Sequence, residues 1–189
     1  LVVVLGDQLD ANSAAFDGFD AEQDAILQME VREEASYVPQ HRRRLAFFFA
    51  AMRHFRDEQR AAGRRVEYAA LDDKANRGSL HVELQRHARR LHPQRIIVLE
   101  PGDWRVREQL GGLNLPIEWR EDRHFLCSRR DFVRFAQSHP RMVLETFYRS
   151  MRRRCGVMLQ RDGKPVGGKW NLDADNRELP RSGTQTGRF

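Results

Sequence analysis

The stretch LVVVLGDQLD, residues 1–10, sets the reading of the whole chain. Five apolar residues, three of them β-branched valines, run without a polar interruption and then stop at Gly6-Asp7-Gln8. A continuous apolar run of that length is the signature of a strand covered on both faces, as in a parallel sheet flanked by helices. Two readings of the stop stand side by side. Gly6 allows a tight turn with Asp7 capping the next segment, or Asp7 and Gln8 offer acceptors and donors to a ligand. A carboxylate here disfavours a phosphate in the same spot, so the ligand reading points to a neutral, hydrogen-bonding ring.

Further apolar runs recur at even spacing. Residues 25–31 (AILQMEV), 65–71 (RVEYAAL), 95–100 (RIIVLE) and 115–120 (LPIEWR) each read as a strand. Helical patterns separate them. Leu45, Phe48, Phe49, Met52 and Phe55 make one apolar stripe, with Gly63 as a C-terminal stop. A second helix starts on Ser79 as N-cap and stops before Pro93, and a third starts on Asp103. Two more lie further along, in SRRDFVRFAQSHP and VLETFYRSMRRRCGVML. The stretch MEVREEASYVPQHRRR, residues 29–44, reads as a loop following the second strand in which Glu34 and Tyr37 line a pocket or face water.

This order predicts an α/β fold: a doubly wound, five-stranded parallel sheet, Rossmann-like, in three α/β/α layers with strand order 3-2-1-4-5. Ligands in such sheets bind beyond the carboxyl ends of the strands, where the order reverses. GDQL and the second Gly-and-acid bend, EPGDW (residues 100–104), both fall there. The expectation is that the two bends meet and frame a crevice. Residues 1–160 read as this domain. Residues 161–189 lose periodicity and read as a loop and a linker or tail.

The composition narrows the function classes. Hydrophobic residues are 40% of 189 and charged residues 32%, which suits one globular domain. No apolar run reaches the ~20 residues of a membrane span, and the start lacks a basic leader, so a cytoplasmic chain with no membrane partner is expected. Cys127 and Cys155 are far apart, against a disulfide framework or a cysteine metal site. The seven histidines form no metal motif, and no phosphate loop, nucleophile elbow or catalytic triad is present. Net charge is +6 with a pI near 10.0, mostly from arginine. That balance suits a polyanion such as nucleic acid, or reflects an arginine-rich proteome. Arg149, Arg152 and Arg153 at one-turn spacing form a phosphate-facing stripe or a salt-bridged surface, with Lys169 near them in sequence in GGKWN.

LGDQL, EASYVPQHRRRLAFFFAAMRHF, EPGDWRVRE, DRHFL, FYRSMRRRCGVML and GGKWNLDADNR occur in the order seen in prokaryotic iron–sulfur (6–4) photolyases and cryptochromes. The chain thus resembles photolyase-related proteins from residue 1 to about Arg177. The resemblance implies an N-terminal antenna domain holding 6,7-dimethyl-8-ribityllumazine. It also implies a helical C-terminal domain, absent from these residues, holding FAD and a [4Fe–4S] cluster and acting on UV-damaged DNA under blue light. On that resemblance Asp7, Gln8, Met29, Val31, Glu34, Tyr37, Phe48, Glu100 and Gly102 fall at chromophore-pocket positions. Phe48 departs from it, because a smaller aliphatic residue is usual there and a phenyl ring would use the lumazine's space. An antenna needs no catalytic residue, only a rigid, dry pocket that fixes a ring. The alternative is a non-enzymatic, basic nucleic-acid-binding module built on Arg149, Arg152, Arg153 and Lys169. A small nucleotide-binding enzyme of the same fold ranks below both, because it would need a phosphate loop.

Overall fold

The computed structural model describes residues 1–171. By its internal contacts the chain divides into two compact units, Leu1–His124 and the part from Phe125 onward.

The first unit holds the sheet. Its strands are β1 (Val2–Val3), β2 (Ile26–Met29), β3 (Val66–Ala69), β4 (Ile96–Leu99) and β5 (Ile117–Arg120). All pair in parallel, in the order β3-β2-β1-β4-β5. The register sets Val2 against Ile26 on one side and Ile97 on the other. This is the doubly wound topology expected from the spacing of the apolar runs. Each strand is trimmed to two to four residues of regular ladder.

Alternation along the strands feeds two separate cores. Val3, Leu27, Met29 and Val98 face one side, against Leu80 and Leu84 of α3 (Leu80–Leu91) and Val106 and Leu110 of α4 (Trp104–Gly111). Val2, Val4, Ile26, Ile97 and Leu99 face the other, against Phe55 of α2 (Arg42–Ala61) and Phe16 of a short 3-10 turn, Ala14–Phe16. Burying both faces is why the central strands are so rich in valine and isoleucine. Each such side chain contributes about 1.5–3 kcal/mol over an exposed one.

The ends of the helices follow from single residues. Gly63, in the left-handed region at φ 78°, closes α2. Asp103 caps α4 by accepting from the Arg105 amide at 2.8 Å. Ser79 occupies the N-cap position of α3, but the expected side-chain cap is not made. Its hydroxyl meets Nδ1 of His81 at 2.7 Å instead. The segment after β2, read from sequence as a loop, contains a short helix, α1 (Arg32–Ser36).

The second unit contains α5 (Arg129–Ser138) and α6 (Leu144–Cys155), then an isolated antiparallel bridge between Leu159 and Pro165. Ser128 caps α5 by accepting from the Asp131 amide at 3.1 Å. Phe132 and Phe135 both stack edge-on against Phe147, with centroids 5.4 and 5.1 Å apart, and so join the two helices. The expected linker or tail beyond residue 171 lies outside the described residues.

Candidate functional site

At the point where the strand order reverses, the two bends converge as their positions required. Nε2 of Gln8 donates to the carbonyl of Glu100 at 3.3 Å. Beside this contact lies a cavity of about 230 Å³. Its apolar walls include Leu5, Met29, Val31 and Val106, and its rim includes Asp7, Glu34, Gln40, Arg44 and Asp103.

Of the residues assigned to a pocket from sequence, Asp7, Met29, Val31, Glu34 and Phe48 line this cavity. Gln8, Tyr37, Glu100 and Gly102 lie outside its lining. Gln8 is buried beneath the turn, where its amide ties the two bends together. Tyr37 is 62% exposed, and its ring faces the guanidinium of Arg105 at 4.2 Å.

Gly6 answers the question raised by the sequence in a third way. Its backbone is not in the left-handed region, so no turn geometry demands glycine. What demands it is a close approach by α2. A Cβ at position 6 would sit 2.4 Å from Cζ of Phe48 and 2.9 Å from Sδ of Met52. The phenyl ring of Phe48 thus lies directly on the turn and forms part of the cavity wall.

Asp7 is exposed at the cavity mouth, yet protein crowds it. The loss of surrounding water raises its carboxyl pKa above the usual range, and the nearby acids Asp122, Glu34 and Asp103 push in the same direction.

Sequence reasoning passed over Arg105. Its guanidinium grips both oxygens of Glu34 at 2.8 Å and reaches Asp103 at 3.2 Å. With Gln109 donating to Glu33 at 2.9 Å, this pins α1 to α4 beside the cavity. Glu34 is therefore a paired carboxylate, held by its neighbour rather than turned wholly to a ligand. The faint signal in the sequence was Arg105 lying two residues after the capping Asp103.

The arginines singled out for nucleic acid take three different roles. Arg152 is buried and donates to the carbonyls of Val157 and Met158, closing the end of α6. Arg149 pairs with Glu145 one turn earlier. Arg153 is exposed and lies 4.7 Å from the Trp170 ring centre, and Lys169 is exposed nearby in sequence. Charge is divided unevenly along the chain. Residues 1–124 carry 19 Lys and Arg against 21 Asp and Glu, whereas residues 125–171 carry 11 against three, so the net charges are −2 and +8.

Among the described residues no cluster of His, Cys, Asp and Glu could hold a metal ion, and no helix is long and apolar enough to cross a membrane. A doubly wound parallel sheet with a cavity at its switch point defines an α/β domain of the Rossmann-like class. The family is recognised over residues 2–188, which match deoxyribodipyrimidine photo-lyase-related proteins, and the chain belongs to that family. It is 45% identical over 185 residues to a (6-4) photolyase of Agrobacterium fabrum (strain C58 / ATCC 33970). That match takes in 96% of this chain but spans only 36% of the relative's length.

Proposed function

We propose that this chain is the N-terminal, chromophore-bearing part of a light-driven, FAD-dependent DNA repair protein or photoreceptor, and that its cavity seats a flat heteroaromatic antenna such as 6,7-dimethyl-8-ribityllumazine. One observation carries this reading: a cavity with apolar walls and the Asp7 carboxyl on its rim, at the carboxyl ends of β1 and β2 in a photolyase-related chain. Such a group, when bound, would absorb blue light and pass the excitation to a flavin in the remainder of the protein. FAD and a [4Fe–4S] cluster belong to that remainder in this proposal.

The residues suit a ring of this kind in their chemistry. Leu5, Met29, Val31 and Val106 supply the apolar faces, and Asp7 supplies the polar edge. The volume of about 230 Å³ is below the ~300–1,000 Å³ usual for organic-ligand sites. Phe48 is one of the side chains that narrow the space, and its residue is 37% exposed. The chain's own part is then to hold the ring's orientation and exclude water. Fluorescence titration with the free lumazine tests this. Binding by the chain, tightened at least about tenfold by Phe48→Ile, is expected. No uptake by either protein would end the antenna reading.

The split in charge favours a second reading, a polyanion-binding surface on the part from Phe125 onward. Electrophoretic and salt titrations with duplex DNA test it. Affinity falling steeply with salt is expected if the excess of eight positive charges meets phosphates, and a flat salt response removes the reading.

A further inference from the structure

The cavity at the switch point has a neighbour across α1. Glu34 and Ala35 of that helix line the first cavity. Arg32, Glu33 and Ser36 line a second, of about 300 Å³, together with Asn76, Arg77 and Gly78. It lies just past β2 and β3, on the side of the sheet where doubly wound folds take their ligands. Its walls are held by the protein itself. Nδ2 of Asn76 donates to the carbonyls of Glu30 and Ala70, both at 2.7 Å, and Oδ1 accepts from the Gly78 amide at 2.8 Å. The Arg77 amide donates to the buried Glu83 carboxylate at 2.7 Å, and the Glu33 amide to the Gly78 carbonyl at 2.9 Å. The second of these bonds joins α1 to the segment before α3. Against this fixed frame two side chains have no task. Arg53, Arg86 and Arg105 each grip a carboxylate. Arg32 and Arg77 come from different segments and line one cavity, and among the described residues neither guanidinium makes an ion pair or hydrogen bond. Two like charges brought to one concave space repel, and an anion between them reverses the sign of the interaction. Two arginines against the single carboxylate of Glu33 leave the lining with a net charge of +1.

We propose that this second cavity binds a small phosphate monoester, with Arg32 and Arg77 donating to the phosphate oxygens from α1 and from the segment before α3. The chemistry of the lining selects that class. A guanidinium fork matches the oxygens of a phosphate or a carboxylate, and a phosphate monoester brings close to two negative charges to two arginines where a carboxylate brings one. The volume of about 300 Å³ is many times the ~30 Å³ share of a water molecule and reaches the low end of the ~300–1,000 Å³ range of organic-ligand sites. A bare phosphate would leave most of it unfilled, so the phosphate arrives attached to a polar organic part. Oε1 of Glu33 already accepts from Gln109 at 2.9 Å, and an ionised carboxylate only accepts. It therefore favours an ester that carries hydroxyl groups, as a sugar phosphate does. The two cavities share no lining residue, so this proposal and the antenna reading fail separately.

Isothermal titration calorimetry of the 189-residue chain with ribose 5-phosphate, ribose and inorganic phosphate tests it. Saturable binding of ribose 5-phosphate is expected, at least about tenfold tighter than that of ribose or of inorganic phosphate. Arg32→Gln and Arg77→Gln should each weaken it about tenfold, as the loss of a charge-assisted hydrogen bond does. Their melting temperatures should match the parent's, because both side chains are exposed and unpaired. Arg153→Gln, on the basic stretch of α6, should leave binding unchanged. Three results would overturn the proposal. One is no saturable uptake of ribose 5-phosphate. Another is inorganic phosphate or ribose bound as tightly as the ester, which would remove either the organic part or the phosphate from recognition. The third is binding that survives both Arg32→Gln and Arg77→Gln, or is lost in Arg153→Gln, which would put the anion elsewhere on the chain.

Discussion

Gly6 and Asp7, adjacent in sequence, are constrained by different forces. Gly6 is constrained by steric closeness, because Phe48 and Met52 leave no room for a methyl group. Met52 is 1% exposed and has nowhere to go, whereas the Phe48 ring can yield outward. Gly6→Ala should therefore destabilise the chain by about 1–3 kcal/mol, and adding Phe48→Ala should recover part of that, as chemical denaturation of the single and double variants would measure. Asp7 is constrained by electrostatics. Its folded pKa lies above the unfolded value of 3.8, so the folded state binds the proton more tightly. The stability this proton adds is therefore full below that value and falls as pH rises through the folded pKa. Asp7→Asn should raise the melting temperature at pH 7 by about 1–2 °C, an effect reduced because the side chain meets solvent, and should leave it unchanged near pH 3. Thermal melts at the two pH values decide the point. The need for a special residue at position 6 was legible in the sequence. Its cause was not, because the contact comes from a helix more than 40 positions away and no local pattern announces it.

Between elements, the strongest polar link in the sheet unit is made by Glu30, the residue after β2. Its side chain is fully buried, and it accepts from Arg53 of α2 at 2.7 and 2.8 Å, from the Tyr68 hydroxyl of β3 and from the Leu71 amide at 2.9 Å. Burial alone would push its carboxyl up, but the donors from Arg53, Tyr68 and Leu71 outweigh that and hold it below the ordinary 4.5. The stability this provides is fully present above pH 4.5 and is lost as pH falls through the lower folded value. Glu30→Gln should cost about 1.5–3 kcal/mol at pH 7 and flatten the acid limb of the stability curve between about pH 5 and 3, as read by denaturant melts across that range. Elements of this kind were legible unevenly. The strands and the long helices announced themselves through apolar runs and the stripe from Leu45 to Phe55, because burial on a fixed period writes itself into sequence. The short α1 did not. It buries no residue, and side-chain bonds from Arg105 and Gln109 of α4 hold it in place. The cavity rim was legible only in part: Glu34 does line it, but only the fold brings Arg105 against that carboxylate.

Across the whole chain, the net charge of +6 averages a mildly acidic sheet unit and a strongly basic stretch of residues 125–171. The average was legible at once and pointed to a polyanion. The division needed a domain boundary, and the helical patterns of α5 and α6 looked continuous with the α/β alternation before them. What set them apart is the burial of their side chains, which depends on tertiary contacts and leaves no trace in periodicity. The same division has a practical consequence for handling the protein. Cleavage at residue 124/125 followed by unfolding in urea would give two fragments of opposite sign. At neutral pH a cation-exchange column would pass the first and retain the second, although the intact chain binds as one basic species.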